Sequence, residues 1–274
     1  MNKHFFKIFL FWSIALVFTA CSDFQKILKS DNVDKKYEAA LKYYDKKDYY
    51  KAGILLEELI PLLKGRPESE RAQFLFANTN YMQRDYVLSA YYFRTFVETY
   101  PRSEYAEEAL FLHTKSLYKD SPSFNLDQTN TYTALEAIQE YINRYPTSKY
   151  VKEANEMYDD LNDKLEVKAF QSAKLYHQLR RYQSAVVALG NFQKSFPSSE
   201  FNEEAAFLQI ESQFNLARES VPEKQRERYF EVVALYQGFV DKYPKSKFLR
   251  TAESFYSNSQ SQLEKLRFSV STTE

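Results

Sequence analysis

A single cysteine, a single tryptophan and four glycines among 274 residues exclude several classes of protein at the outset. One cysteine rules out an intramolecular disulfide. His113 and His177 are far apart in sequence, with no Cys, His or Glu at metal-ligand spacing. So few glycines leave no phosphate-cradling loop and little use for tight turns. Gly-x-Ser-x-Gly and His-Glu-x-x-His are absent as well. The adjacent acids Asp159-Asp160 and Glu203-Glu204 point to different sides of a helix, as solvated surface does, rather than forming a catalytic couple. Neither catalysis nor a cofactor nor a metal is expected. An excess of either charge is also missing, with 37 Lys and Arg against 37 Asp and Glu. There is thus no basic footprint for nucleic acid. No apolar run reaches the roughly 20 residues a membrane-spanning helix needs.

The chain begins with what looks like a leader. Met1 to Lys7 is basic, Ile8 to Phe18 is apolar apart from Ser13, and Thr19 and Ala20 precede Cys21. The order basic, apolar, small is that of a secretory signal, here residues 1–20, removed on export. The Thr-Ala-Cys end resembles a bacterial lipobox, in which the cysteine becomes the lipidated first residue. Phe18 stands where that motif usually has an aliphatic side chain. The alternative is an ordinary cleaved signal beside a stray thiol. Loss of Lys3 and Lys7 with the leader leaves 35 basic against 37 acidic side chains.

Beyond it, two aromatic positions return in register. Tyr37, Phe74, Phe111, Phe170 and Phe207 are each followed seven residues later by Tyr44, Tyr81, Tyr118, His177 and Phe214, and the first three pairs stand 37 residues apart. Such a period marks stacked helical hairpins. A second pattern runs small, apolar, apolar, proline: Ser89, Phe93, Phe96, Pro101; Ala134, Ile138, Tyr141, Pro146; Ala185, Leu189, Phe192, Pro197; Val232, Tyr236, Phe239, Pro244. Spacings of four and three put the first three on one helical stripe, and the proline ends the helix. Ser103, Ser148, Ser199 and Ser246 follow two residues after the prolines, as candidate N-caps of the next helix.

These patterns predict first helices near 33–46, 68–83, 104–119, 148–180 and 200–217 and second helices near 48–64, 85–100, 130–145, 182–196 and 226–243. A final helix near 246–267 is expected to turn Ser254 and Ser261 outward as a polar cap. The 51 residues from Pro146 to Pro197 exceed the basic period by 14, close to four helical turns, an insertion that preserves the helix face. Ala217 to Arg228, charged around Pro222, reads as an exposed loop.

Phe170, Ala173, Tyr176, Tyr182, Ala185, Leu189, Phe192 and Pro197 resemble the tetratricopeptide repeat in type and spacing. That implies an all-α, right-handed superhelical solenoid of about five helical hairpins plus a C-terminal capping helix. The lipobox, the five repeats, the Tyr-Pro-x-Ser-x-Tyr joints and Asp127-Gln128 before a third-repeat second helix together resemble the BamD family, lipoproteins of the outer-membrane β-barrel assembly machinery. The resemblance runs from about Phe24 to Leu266. It implies a lipoprotein held by Cys21 on the periplasmic face of the outer membrane, with Ser22 fitting outer-membrane sorting. The implied partners are the periplasmic domains of the barrel-forming subunit and unfolded outer-membrane β-barrel proteins. The corresponding division is a lipidated linker at 21–32, N-terminal repeats at 33–146 that receive substrate, C-terminal repeats and cap at 147–267 that dock the partner, and a tail at 268–274.

Residues seven apart lie two turns apart on one helical face. The first helices of three successive repeats thus offer Tyr37, Leu41 and Tyr44, then Phe74, Asn78 and Tyr81, then Phe111, Lys115 and Tyr118 to one wall, a candidate site for extended polypeptide. Rings would take alternate apolar side chains, while Asn78 and the phenols bond main-chain groups or a terminal carboxylate. Each ring has a second reading, as packing between neighbouring helices. The three tyrosines that end the triplets, with polar tips suited to an open wall, are the stronger site residues. Phe207 and Phe214 are assigned to packing, and both histidines to structure. Two other functions share the architecture: a periplasmic adaptor of envelope division or secretion, and a glycan-capturing surface lipoprotein, which would favour tryptophan platforms where this chain has only Trp12 in its leader.

Overall fold

The computed structural model describes residues 23–271; the expected leader 1–20 and the lipidation site Cys21 lie outside the described residues, as does the end of the tail at 272–274. Every regular element among the described residues is helical. After a helical segment at 23–28 come α1 (Val33–Asp45), α2 (Tyr49–Leu62), α3 (Glu68–Met82), α4 (Tyr86–Thr99), α5 (Ala106–Asp120), α6 (Thr129–Arg144), α7 (Val151–Gln178), α8 (Tyr182–Ser195), α9 (Asn202–Arg218), α10 (Pro222–Lys242) and α11 (Leu249–Ser271). The odd-numbered helices up to α9 are the first members of five hairpins. None of the described helices is long and apolar enough to cross a membrane.

The chain forms two compact units, divided between Leu161 and Asn162. The division falls inside α7, which is helical without interruption over 28 residues, where the sequence leaves open one long rod or a break near Asn162-Asp163. In the first unit α1 to α6 pack in succession, each on the next. Their core holds Leu55, Leu56, Leu59, Phe93, Phe96, Leu110, Ile138 and Tyr141, all fully or almost fully buried. Ala52, Ser89 and Ala134 are fully buried where helices approach closely, and Ser89 Oγ lies 2.9 Å from Ser116 Oγ on α5. In the second unit α8 to α11 pack in the same succession, and α9 also touches α11. Its core is built on Phe170, Ala185, Leu189, Phe192, Ile210, Val232 and Phe239.

Within the first, second and fourth hairpins the two helices are joined by one tight turn. Lys47, Arg84 and Arg180 occupy the left-handed region there, with φ of 61°, 65° and 56°. For a side chain other than glycine this costs about 1–2 kcal/mol, partly offset where a cation meets the negative end of the preceding helix. The carboxylates of Asp48 and Asp85 then cap α2 and α4 by accepting from the N–H groups of Lys51 and Leu88.

Between hairpins the four Pro-x-Ser joints share a different construction, and the expected role of the serine is corrected. The helices begin three residues beyond it, at Ala106, Val151, Asn202 and Leu249. The serine Oγ instead accepts from the N–H two residues on, Tyr105, Tyr150, Phe201 or Phe248. Three of the serines donate their own proton across the joint: Ser148 to Glu107 at 2.5 Å, Ser199 to Glu166 at 2.5 Å and Ser246 to Glu203 at 2.6 Å. Ser148 thereby has no proton left for Tyr141, whose hydroxyl lies 2.6 Å away, so the phenol is the donor.

The local turn aims the next aromatic ring at the first recurring aromatic. Phe74 meets Tyr105 at 4.9 Å, Phe111 meets Tyr150 at 4.3 Å, Phe170 meets Phe201 at 4.7 Å and Phe207 meets Phe248 at 4.5 Å, all four pairs stacked. Stacked rings add about 0.5–1.5 kcal/mol beyond the area they bury.

Two further expectations are corrected. Ala217 to Arg228 is not a loop: Pro222 is the first residue of α10, where its missing N–H goes unneeded and its fixed φ suits a helix start. The segment 21–32 is not wholly a linker, because Phe24 in the 23–28 helical segment is buried and meets the Tyr43 ring edge-on at 5.6 Å. The final helix agrees with its reading as a cap, for Ser254 and Ser261 are exposed.

Two measurements test this account. Phe111→Ala should lower the unfolding free energy by about 3–5 kcal/mol in urea titrations, the usual cost of emptying a buried aromatic site. Burial pushes the Tyr141 phenol up to about 12, its bond to Ser148 working the other way. An unfolded tyrosine ionises near about 10, so this contribution to stability is complete below that pH and is lost as pH rises through the folded value. Tyr141→Phe should therefore flatten the alkaline fall in urea midpoint between about pH 10 and about pH 12.

Candidate functional site

The candidate wall is the face that α1, α3 and α5 of the first unit share with the beginning of α7. Helical spacing alone puts Tyr37, Leu41 and Tyr44 in line on α1, but stacking of the hairpins decides which side chains keep an open surface. Phe74 and Phe111 do not keep one. They are 6% and 2% exposed, each covered by the joint ring described above, so the geometry assigns both to packing. Leu41 is half-buried against the core. Tyr37 has no joint ring of its own; it is half-buried, and burial raises its phenol above the usual tyrosine value, with the charge of Arg71 opposing.

The remaining positions are joined sideways, helix to helix. Asn78 Nδ2 on α3 donates to the Tyr44 hydroxyl on α1 at 2.8 Å. Burial pushes the Tyr44 phenol up to about 12, with Tyr49 and Glu108 acting in the same direction and the Asn78 bond against them. Tyr81 is also raised by burial, opposed by the charge of Lys115 on the next helix. Lys115 Nζ lies 5.6 Å from the centre of the Phe111 ring and 2.7 Å from Glu153 on α7. Burial, the largest single influence, depresses the Lys115 ammonium, but the Glu153 bond and the charges of Tyr81, Glu153 and Tyr150 together outweigh it and the net shift is upward. The Tyr118 hydroxyl donates to Asp160 on α7 at 3.1 Å, and burial followed by the Asp160 charge raises that phenol too. All three site phenols therefore remain neutral at physiological pH and keep a proton to donate; Tyr118 gives its own to Asp160, while Tyr44 accepts from Asn78.

Glu153 and Asp160 join the wall although the repeat period does not point to them. Asp160 is exposed, as expected of one of two adjacent acids, yet it accepts the third tyrosine of the row. The signal that could have found both is the insertion in α7, which extends a first helix alongside Lys115 and Tyr118. Together with Lys119, Glu156 and the buried Met157 these residues line a cavity of about 360 Å³. It offers an apolar floor ringed by charged donors and acceptors. That combination suits a polypeptide main chain with an apolar side chain between its amides.

Neither histidine belongs to this wall's row. His113 Nδ1 donates to the Ala90 carbonyl at 2.8 Å, and burial lowers its pKa, so it stays neutral. His177, in the second unit, lies 2.9 Å through Nδ1 from Ser212 Oγ. No group of three or more His, Cys, Asp or Glu among the described residues could hold a metal ion.

Comparison with known proteins places this geometry in a family. The family model described as outer membrane lipoprotein (YfiO) matches residues 29–228, which include every residue of the row. The chain is similar to a putative outer membrane protein assembly factor BamD of Aquifex aeolicus, 25% identical over 199 residues, or 72% of this chain and 65% of that protein. It is also similar to the outer membrane protein assembly factor BamD of Rickettsia prowazekii, 20% identical over 64% of this chain and 70% of the relative. The protein of that name from Helicobacter pylori is 24% identical over 54% and 69% respectively. The chain thus spans somewhat less than two thirds of the Aquifex protein. With a family match that runs from the start of the hairpin array into α10, the chain belongs to the YfiO family of outer membrane lipoproteins, the family of the BamD proteins.

Proposed function

We propose that this protein is a lipoprotein component of the machinery that folds and inserts outer-membrane β-barrels, anchored through Cys21 on the periplasmic face. In this reading the first unit receives unfolded barrel segments, and the second docks onto the periplasmic domains of the barrel-forming subunit. The observation that carries it is the row from Tyr44 through Asn78, Tyr81 and Lys115 to Tyr118. Three neutral phenols, an amide and an ammonium stand on successive helices of one face, partly exposed, and Tyr44, Asn78, Lys115 and Tyr118 already hold polar partners on neighbouring helices.

An extended segment would exchange those internal bonds for bonds to its own main chain, so little polar desolvation is left uncompensated. Alternation along a barrel strand then brings every second side chain toward the wall, where the half-buried rings and Met157 offer apolar contact. Such a surface captures a strand by its backbone and its aromatic residues rather than by one fixed sequence. The names of the relatives support the reading, since each is called an outer membrane protein assembly factor. No catalytic step is assigned to any residue.

Depletion of the protein, followed by an inventory of outer-membrane barrels, should show loss of many unrelated barrels; unchanged levels would remove the assembly role. Replacing Tyr44, Tyr81 and Tyr118 together with Ala should weaken binding of barrel-derived peptides at least about tenfold, as expected for several lost contacts of about 1 kcal/mol each, while helicity persists. A collapse of helicity instead would assign the tyrosines to the core. The protein isolated from its membrane should begin at an acylated Cys21, which intact mass measurement reads directly.

A further inference from the structure

The N-terminal end of the first unit carries a cavity that the peptide row does not use. It lies where the 23–28 helical segment crosses α1 and the start of α2, and has a volume of about 750 Å³. Ile27, Ala39 and the Tyr43 ring supply apolar wall, while Lys26, Lys42, Lys46 and Lys51 bring four ammonium groups to it. Only two carboxylates share the lining, and both are engaged: Asp23 with Lys26 at 3.3 Å and Asp48 with Lys51 at 2.8 Å. Lys42 in the last turn of α1 and Lys46 at its C-terminal cap are exposed and form no ion pair among the described residues. Asp45, adjacent to Lys46 in sequence, does not line the cavity. The site therefore has an uncompensated charge of about two at its mouth.

The cavity is built rather than incidental. Phe24 is buried and meets Tyr43 edge-on at 5.6 Å, which fixes the 23–28 segment over α1. Lys51 Nζ lies 5.3 Å from the centre of the Tyr43 ring and 5.9 Å from that of Phe24. The chain path adds a second, independent observation. Asp23 lines the cavity and is two residues from Cys21 in the sequence.

We propose that this cavity takes the headgroup of an anionic phospholipid from the leaflet that holds the anchor, its phosphate between Lys42 and Lys46 and the first carbons of its acyl chains against Ile27 and Ala39. The site then seats the N-terminal end of the repeat array on the membrane surface. Lipid attachment alone leaves a protein free to swing about its tether, whereas a headgroup site beside the tether fixes which end faces the bilayer. The idea rests on the reading of Cys21 as an anchor, but its chemistry belongs to the lysines and is tested without acylation.

The experiment uses the chain from residue 21 onward with Cys21→Ser, which retains every described residue, and vesicles of phosphatidylcholine with or without phosphatidylglycerol. Co-sedimentation should be strong only with phosphatidylglycerol present. Lys42→Gln with Lys46→Gln should lower that partition roughly thirtyfold, from about 1 kcal/mol per lysine near an anionic surface. Lys194→Gln with Lys245→Gln, an equal change of charge in the second unit, should leave it within about twofold of the parent. Equal binding to both vesicle types would overturn the proposal. So would equal losses in the two double variants, which would mean diffuse attraction, or displacement by millimolar inorganic phosphate at constant ionic strength, which would mean a free-phosphate site. Circular dichroism of both variants should match the parent, because all four lysines are exposed. A failure here leaves the acylation of Cys21 untouched, and an unacylated Cys21 would leave the vesicle result standing.

Discussion

Each Pro-x-Ser joint drops one aromatic ring flat onto another, and the rest of the structure depends on that contact. A proline ends one helix and a serine restarts the chain by holding the N–H two residues on, so the ring at that position has one direction to take. It lands on the first recurring aromatic of the preceding first helix, as Tyr150 does on Phe111 and Phe201 on Phe170. The serine hydroxyl meanwhile reaches a glutamate one turn before that same aromatic. Ring and carboxylate thus read the same short stretch of helix, one through dispersion and the other through a directional bond. Where both act, their agreement fixes the distance and the rotation of one first helix against the next. The tyrosines of α3 and α5 line up because this register repeats between their helices.

Helix positions were legible because their causes are local. Prolines, buried small residues and aromatics at a fixed period specify where helices lie and which stripe they bury. What misled was chemistry with two local solutions. Serine before a helix can cap it, yet at Ser148 the better partners for its one proton and its lone pairs were Glu107, Tyr141 and the N–H of Tyr150. Proline in a charged stretch can mark a loop, yet Pro222 opens a helix. Sequence separates these cases only if the tertiary partner is known, and the glutamates are 33 to 43 residues distant from their serines.

The candidate site was legible in part, along the same division. The period places nine residues on one wall, but it cannot distinguish a ring that covers from a ring that is covered. Phe74 and Phe111 are covered because Tyr105 and Tyr150 arrive from the next joint, an event outside their own helices. Tyr44 and Tyr118 keep a polar tip and find it a partner on the following first helix. The acids of α7 entered the wall through helix length, a property that residue type does not announce.

Packing of each helix on its immediate neighbours has a further consequence, for the order in which the chain acquires structure. Contacts among sequence-adjacent helices close short loops, and chains dominated by such contacts fold fast. The first hairpins need nothing from α9 to α11 to satisfy their core. A polypeptide delivered end-first through a secretion pore could therefore begin to fold as it emerges, each new hairpin using the previous one as its template.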